Sequence, residues 1–392
     1  MNETSVPGKA IVYSNDRRPT AGRLNCWLAH NGTRLIMPDA RNRLTALDAL
    51  RGLAALGVVL FHYLPYYDRL YDHSFSSPGF LDFGRYGVHL FFMLSGFVIF
   101  MTLERTRTSG QFALARAFRL LPALWAGIAL TYLMVHWLGP EDRMVSFDAA
   151  LMNLTLLHEY LGYPHVDGAY WSLVIEATFY VWIALLFYGL GDWRRIRTVL
   201  WAWVLVSYAG VIWWKAIPDT LDFLLKDLLF VRYAPLFISG MLIYRAYHDR
   251  RLPAIDIALL ALSIGHCLVA YKAPFNIFVL ACYGIFALAV AGYLNALSRP
   301  SLLWLGSISY TLYLVHQNIG YGLIDLTYQA GLPGQLGVAL ALAVAIALAA
   351  VLHYGIEKPA LAYYRQWRAK RPTPTARTVI RAERPQEQSG RG

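Results

Sequence analysis

The sequence predicts an all-α fold, a polytopic transmembrane bundle of about ten helices with both termini on the cytoplasmic side. Three observations lead there. The 392 residues are 57% hydrophobic and only 15% charged, against roughly 25% charged in soluble domains, and the mean hydropathy is +0.41. Apolar stretches near the 20 residues that cross about 30 Å of hydrocarbon recur along the chain. Positive charge in the connections alternates with span number, as the positive-inside rule requires.

The expected spans are 45–65, 85–103, 120–138, 171–190, 198–215, 228–246, 253–271, 276–294, 301–323 and 335–356. Alternating strand patterns are absent, and backbone groups in lipid must bond within their own segment, so each is read as a helix. Pro122, Pro235 and Pro333 mark ends or kinks. One set of loops holds Arg105, Arg107, Arg116 and Arg119, then Arg194, Arg195 and Arg197, then Arg245, Arg250 and Arg251, then Arg299. The opposite set holds Asp68, Asp72, Asp82, Glu141, Asp142, Asp148, Glu159, Asp167, Asp219, Asp222 and Asp227, with few cations. One span more or fewer would scramble this alternation.

Three segments are expected: a basic cytoplasmic tail over 1–43, a membrane domain over 44–365 and a disordered cytoplasmic tail over 366–392. The first lacks the apolar core of a secretory signal, and Met37 is a candidate native start. The expected location is the bacterial inner (plasma) membrane. The net charge of +11 is explained by loop and tail arginines, and no nucleic-acid recognition motif accompanies it. Cys26, Cys267 and Cys282 have no CxxC spacing and indicate neither a disulfide framework nor a metal site.

The first span carries the chemistry. LTALDALRGLAALGVVLFHYLPYY (44–67) is apolar yet contains Asp48, Arg51 and His62. Arg or Asp at a helix centre costs at least about 2.5–3.5 kcal/mol, so such residues mark functional sites by default. Arg51 and His62 are eleven residues apart. That separation is three turns plus roughly 20°, which places both on one face about 16 Å apart along the axis. The topology assigns depths to other polar residues. Glu176, His316 and Arg232 fall at the level of His62 in the outer half, so these four are expected to form one polar layer. Asp48 and Arg51 fall toward the cytoplasm, where Arg116 and Arg119, one turn apart in RAFRLLP, can join them in a cationic mouth for a phosphorylated ligand. Arg105, Arg107 and Arg194 read as lipid-headgroup contacts. His89, His136, His266 and His353 read as structural or interfacial. The outer connection 139–170, with His158, Tyr160, Tyr163 and His165, is either a lid or an ordinary loop.

These residues resemble the integral-membrane acyltransferases of the acyltransferase type three family. Arg51-x10-His62 is similar to its first-helix signature. In order, YGVHLFFMLSGFVIF (86–100), RAFRLLP (116–122), WSLVIEATFY (171–180), RYAPLFISGMLIY (232–244), GSISYTLYLVH (306–316) and EKP (357–359) are similar to its later motifs. The resemblance covers 44 to about 365. It implies a bundle of about ten helices and transfer of an acyl group, commonly acetyl, from cytoplasmic acyl-CoA (acetyl-CoA as co-substrate, with no bound cofactor) to a hydroxyl of a lipid-linked or surface glycan. His62 matches the essential histidine, Arg51, Arg116 and Arg119 the donor-site arginines, and Glu176 the fourth-helix carboxylate.

On chemical grounds His62 is expected to act as general base, with Glu176 or His316 orienting it or binding acceptor hydroxyls. Asp48 belongs with the donor-binding arginines. Ser95, Trp171, Ser172, Arg232 and Tyr310 are expected to contact substrate or support the site. Ser95 could carry the acyl group in a covalent scheme, but beside Gly96 it is expected chiefly to aid close helix packing. Many relatives carry a C-terminal esterase-like domain; without one, an accessory second transfer would need a separate envelope partner. A transporter or flippase of an acyl donor or glycan lipid is the alternative from another class, and an acyltransferase for a small secreted metabolite is a further one.

Overall fold

The structure, a computed structural model, describes residues 40–370, with side chains from Thr45 onward. Cys26, the candidate start at Met37, most of the N-terminal tail and the C-terminal tail from 371 lie outside the described residues.

Every regular element described is helical. The main helices are α1 (Ala40–Phe61), α2 (Gly87–Glu104), α3 (Ser109–Leu138), α4 (Trp171–Leu190), α5 (Trp193–Ile212), α6 (Ala234–Asp249), α7 (Ala254–Ala270), α8 (Phe275–Ala291), α9 (Pro300–Val315), α10 (Gln317–Gln329), α11 (Gly334–Leu352) and α12 (Lys358–Ala369). Six stretches among the described residues are long and apolar enough to cross a membrane: Thr45–Tyr71, Gly79–Glu104, Ser109–Leu138, Gly168–Leu190, Trp193–Ile212 and Gly334–Ala369. The shorter helices α7 and α8 are also apolar.

Three expected spans take a different form. The third begins at Ser109, capped by the Thr108 hydroxyl, which accepts from the Gln111 N–H. Arg116 and Arg119 therefore sit on the helix, and Pro122 is carried inside it. The sixth starts at Ala234, because Phe230 adopts a positive φ of 34° and stops a helix running through from 228; Pro235 sits in its first turn, where its missing N–H costs nothing. The ninth is broken at His316 into α9 and α10. The break persists because its backbone groups find side-chain partners. The Tyr63 hydroxyl donates to the His316 carbonyl at 2.6 Å, and the Asp167 carboxylate accepts from the Asn318 N–H at 3.0 Å. At the C-terminal end α12 continues to Ala369, past the expected start of the tail at 366.

Glycine pairs set two of the closest helix crossings. A Cβ on Gly306 of α9 would collide with the Asp48 carbonyl of α1, and one on Gly52 would lie 2.6 Å from the Gly306 nitrogen. Gly96 of α2 and Gly240 of α6 meet in the same way, against the carbonyls of Phe237 and Met93. Backbones pack this closely in membranes because small residues leave room for dispersion contacts. α1 is thereby held against α9, which bring Arg51 and His62 beside the residues of 309–316.

The connection 139–170 is a packed strap and not a free lid. Ala149, Asn153, His158, Asp167, Ala169 and Tyr170 are buried. Asn153 fastens the strap to itself, donating to the carbonyls of Ala149 and Pro164 and accepting from the Val166 N–H.

Candidate active site

The α-helical ladder of α1 ends where His62 begins. Pro65 has no N–H to donate to the Phe61 carbonyl, and the chain makes a wider π-turn over His62–Tyr66. Such π-turns concentrate at functional sites because they re-aim a side chain. Here the turn directs His62 at His316, 254 positions away, with Nδ1 of His62 3.0 Å from Nε2 of His316.

Hydrogen bonding fixes the tautomers of this pair. Nδ1 of His316 lies 2.9 Å from the Tyr313 carbonyl, which can only accept, so that nitrogen carries the proton. Nε2 of neutral His316 is then an acceptor, and Nδ1 of His62 must donate to it. This leaves the lone pair of a neutral His62 on Nε2. His316 is fully buried, whereas His62 keeps some exposure. A buried second histidine thus orients a first whose other nitrogen can accept a proton.

A narrow cavity of about 120 Å³ runs between α1, α2, α3, α4 and α9. Arg51, Arg116, Arg119, Ser95, Glu176 and Tyr310 all line it. The three arginines are not equivalent. Arg119 ion-pairs with Glu357, which is 2% exposed and also bonded to Nδ1 of His353 at 2.9 Å. The Arg119 guanidinium lies 5.2 Å from the Tyr310 ring centroid, while the Tyr310 hydroxyl donates to the Leu120 carbonyl. Arg51 has only a loose partner, Asp48 at 3.9 Å on an exposed side. Arg116 has a buried Nε with no partner.

Glu176 lies in this cavity and does not orient the histidine pair. Its Oε1 accepts from the Ser95 hydroxyl and, at 2.5 Å, from Tyr180. Ser95 therefore serves the cavity, and its neighbour Gly96 provides the close packing. Tyr313 links the two regions: it lines the cavity, and its ring centroid is 5.6 Å from that of His316. Its hydroxyl donates to the Ala169 carbonyl, which makes Ser172 the donor in the 2.6 Å bond between the two hydroxyls. Trp171 packs edge-on to Phe92 and 5.3 Å from Tyr233, in an aromatic wall behind the cavity lining.

The expected single polar layer is thus three separate groups. His62 and His316 touch. Glu176 belongs with Ser95 and Tyr180. Arg232 sits over the Tyr271 ring at 5.0 Å, near His89. Depth along the membrane is one coordinate, and these residues differ in the other two. Glu357, Tyr180, Tyr313 and Asp167 have structural roles at the site that sequence reasoning did not assign. For Glu357 a signal existed, since a carboxylate closing an apolar span needs a cation. Asp167 bonds the N–H groups of both Ala169 and Asn318, tying the strap to the helix break beside His316. Burial pushes its carboxyl up to about 7, although these two donors favour the charged form.

Broken apolar helices packed around a cavity lined by guanidinium groups and a carboxylate, with a histidine pair behind its Tyr313 wall, define a polytopic membrane enzyme. Residues 44–354 match the acyltransferase domain of type three, and the chain belongs to that acyltransferase family. Among curated relatives it is similar to nodulation protein 10 of Rhizobium leguminosarum bv. viciae, 25% identical over 80% of this chain and 92% of that protein. It is similar to the exopolysaccharide production protein ExoZ of Rhizobium meliloti, 27% identical over 74% of this chain and 92% of that protein. It is also similar to the peptidoglycan O-acetyltransferase OatA of Listeria monocytogenes, 24% identical over 74% of this chain and 50% of that protein, so the match spans half of the Listeria protein. No solved structure matches the chain significantly.

Proposed function

We propose that this membrane acyltransferase moves an acyl group, acetyl in the first instance, from cytoplasmic acyl-CoA to a hydroxyl of a lipid-linked, surface or exported glycan. The glycan acceptor is supported by the relatives, two of which are named for peptidoglycan O-acetylation and exopolysaccharide production. The observation that carries the mechanism is the histidine pair, whose bonds leave Nε2 of His62 as the open base. A hydroxyl is a weak nucleophile at neutral pH, and a positioned base contributes roughly 10²–10⁴-fold. Nε2 of His62 takes the hydroxyl proton as the oxygen attacks the thioester carbonyl carbon. The C–O bond forms, the C–S bond breaks, and the imidazolium returns the proton to the departing thiolate, giving an ester and free coenzyme A. His316 holds the ring and keeps the proton on Nδ1. Arg51 and Arg116, with Arg119, hold the donor's phosphates at the far end of the cavity, and Asp48 positions Arg51. The protein works in the bacterial inner membrane with both termini inside.

A second course has its own support. The Ser95 hydroxyl donates to Glu176, so this carboxylate takes the serine proton as Ser95 Oγ attacks the thioester carbonyl, the C–S bond breaks, coenzyme A leaves as the thiol with that proton, and acyl-Ser95 then passes its group to the acceptor hydroxyl. Protein incubated with radiolabelled acetyl-CoA and then denatured would retain label at Ser95 in this course and none in direct transfer. The overall function is tested by mass spectrometry of surface glycans from cells with and without the gene. Loss of an O-acyl substituent is expected on deletion, and identical glycans would overturn the glycan assignment.

A further inference from the structure

Apart from the lining of the arginine-lined cavity there is a second cationic group, of which only Arg232 has an expected supporting role. Arg85, at the end of the 3-10 turn Gly79–Tyr86, stacks 5.2 Å from the Phe61 ring centroid, and Phe61 stacks edge-on to His62 at 5.0 Å. Arg232, just before α6, lies over Tyr271. Arg85 also lies 5.7 Å from the Phe275 ring, and the rings of Phe275, Tyr271 and His89 all pack around Tyr86, at 6.2, 6.5 and 5.0 Å.

This cluster is short of negative charge. Among the described residues neither Arg85 nor Arg232 forms an ion pair. The nearby carboxylate, Asp82, is engaged by Arg69 at 2.7 Å. The Nε of Arg232 is buried with no partner. His89 is only 7% exposed, its Nε2 meets the Tyr271 hydroxyl at 2.9 Å, and its Nδ1 is buried without a partner. When Tyr271 donates to Nε2, the proton sits on Nδ1, and His89 becomes a third open donor beside the two arginines. Partly buried cations without counter-ions, grouped around the same aromatic rings as an open neutral donor, form a receptor for an oxyanion.

We propose that Arg85, Arg232 and His89 form an oxyanion subsite, and that the oxyanion is a phosphate or carboxylate carried by the acceptor. Guanidinium groups match such oxygens in a planar fork. Arg85, one aromatic ring away from His62, suits a group that anchors an acceptor while its hydroxyl reaches Nε2. Only the attribution to the acceptor rests on the acyl-transfer reading, because anion binding here requires no turnover.

The test uses the full-length protein purified in neutral detergent, with inorganic diphosphate as probe and calorimetry as readout, run with and without coenzyme A. Wild-type protein should bind diphosphate in the presence of coenzyme A. Arg85→Gln with Arg232→Gln should weaken that binding at least tenfold and leave coenzyme A binding unchanged. If the double variant does not fold, Arg85→Gln alone should weaken it at least threefold. No diphosphate binding by wild type, or equal binding by the variants, would overturn the subsite. A parallel titration compares phosphatidylcholine nanodiscs with and without phosphatidylglycerol. Unchanged diphosphate affinity supports an acceptor-borne anion. Its abolition by phosphatidylglycerol would make the occupant a lipid headgroup and overturn the acceptor assignment. Failure of acyl transfer with intact diphosphate binding would count against the proposed function and not against this subsite.

Discussion

His316→Ala separates the orienting histidine from the base. The substitution removes the acceptor for Nδ1–H of His62 and lets the His62 proton move to either nitrogen. A hydrogen bond of this kind is worth about 0.5–1.5 kcal/mol. At about 1.36 kcal/mol per decade of rate, the expected loss in kcat is roughly two- to thirteen-fold. His62→Ala should cost more, about 10²–10⁴-fold, because it removes the base itself. His316→Gln offers a side-chain oxygen as acceptor and should recover part of the loss. The assay is radiolabelled acetyl transfer by purified protein, with kcat and the donor KM measured separately. The hypothesis requires kcat to fall while donor KM stays constant. A wild-type kcat in His316→Ala, or a His62→Ala enzyme within tenfold of wild type, would refute it.

Other predictions follow from the same geometry. Arg116→Ala should chiefly raise donor KM, since Arg116 has no carboxylate partner among the described residues. Arg119→Ala should lower thermal stability as well, because it strands the buried Glu357, and breaking a buried pair costs about 3–5 kcal/mol; equal melting temperatures for the two variants would contradict this contrast. Gly306→Ala should destabilise by about 1–3 kcal/mol through overpacking against Asp48. Gly284→Ala, whose Cβ would meet nothing within 4 Å, is the control, and similar folded yields for both would remove the crossing from the account. The raised carboxyl of Asp167 makes the folded state bind a proton that the unfolded chain has released. Stability from this group is present below about pH 4 and is lost as pH rises toward about 7. Melting temperature should therefore fall across that window in wild type and less so in Asp167→Asn; parallel profiles would disprove the effect.

Much of the fold was legible because its signals are local. Hydropathy over a window near 20 residues located the helices, with boundaries shifted by capping at Thr108 and by the backbone reversal at Phe230. The ninth span was the harder case. Its one local mark is the polar run His316-Gln317-Asn318, and the groups that stabilise the break, Tyr63 and Asp167, come from elsewhere. Ser95 was hard to place for a related reason. Its small size beside Gly96 fits a packing role, and only the position of Glu176 shows which way the hydroxyl points.

By itself the sequence determined that this is a polytopic helical membrane protein, and that Asp48, Arg51 and His62 share one apolar segment. Those facts depend on composition and on the 3.6-residue period, both properties of neighbouring residues. The tertiary structure alone decided the pairings: His62 with His316 across 254 positions, Arg119 with Glu357 across 238, and Glu176 with Ser95 across 81. Hydropathy and loop charge give depth along the membrane. Position within the plane depends on where helices cross, here at Gly52 with Gly306 and at Gly96 with Gly240, and on the π-turn that Pro65 imposes beside His62.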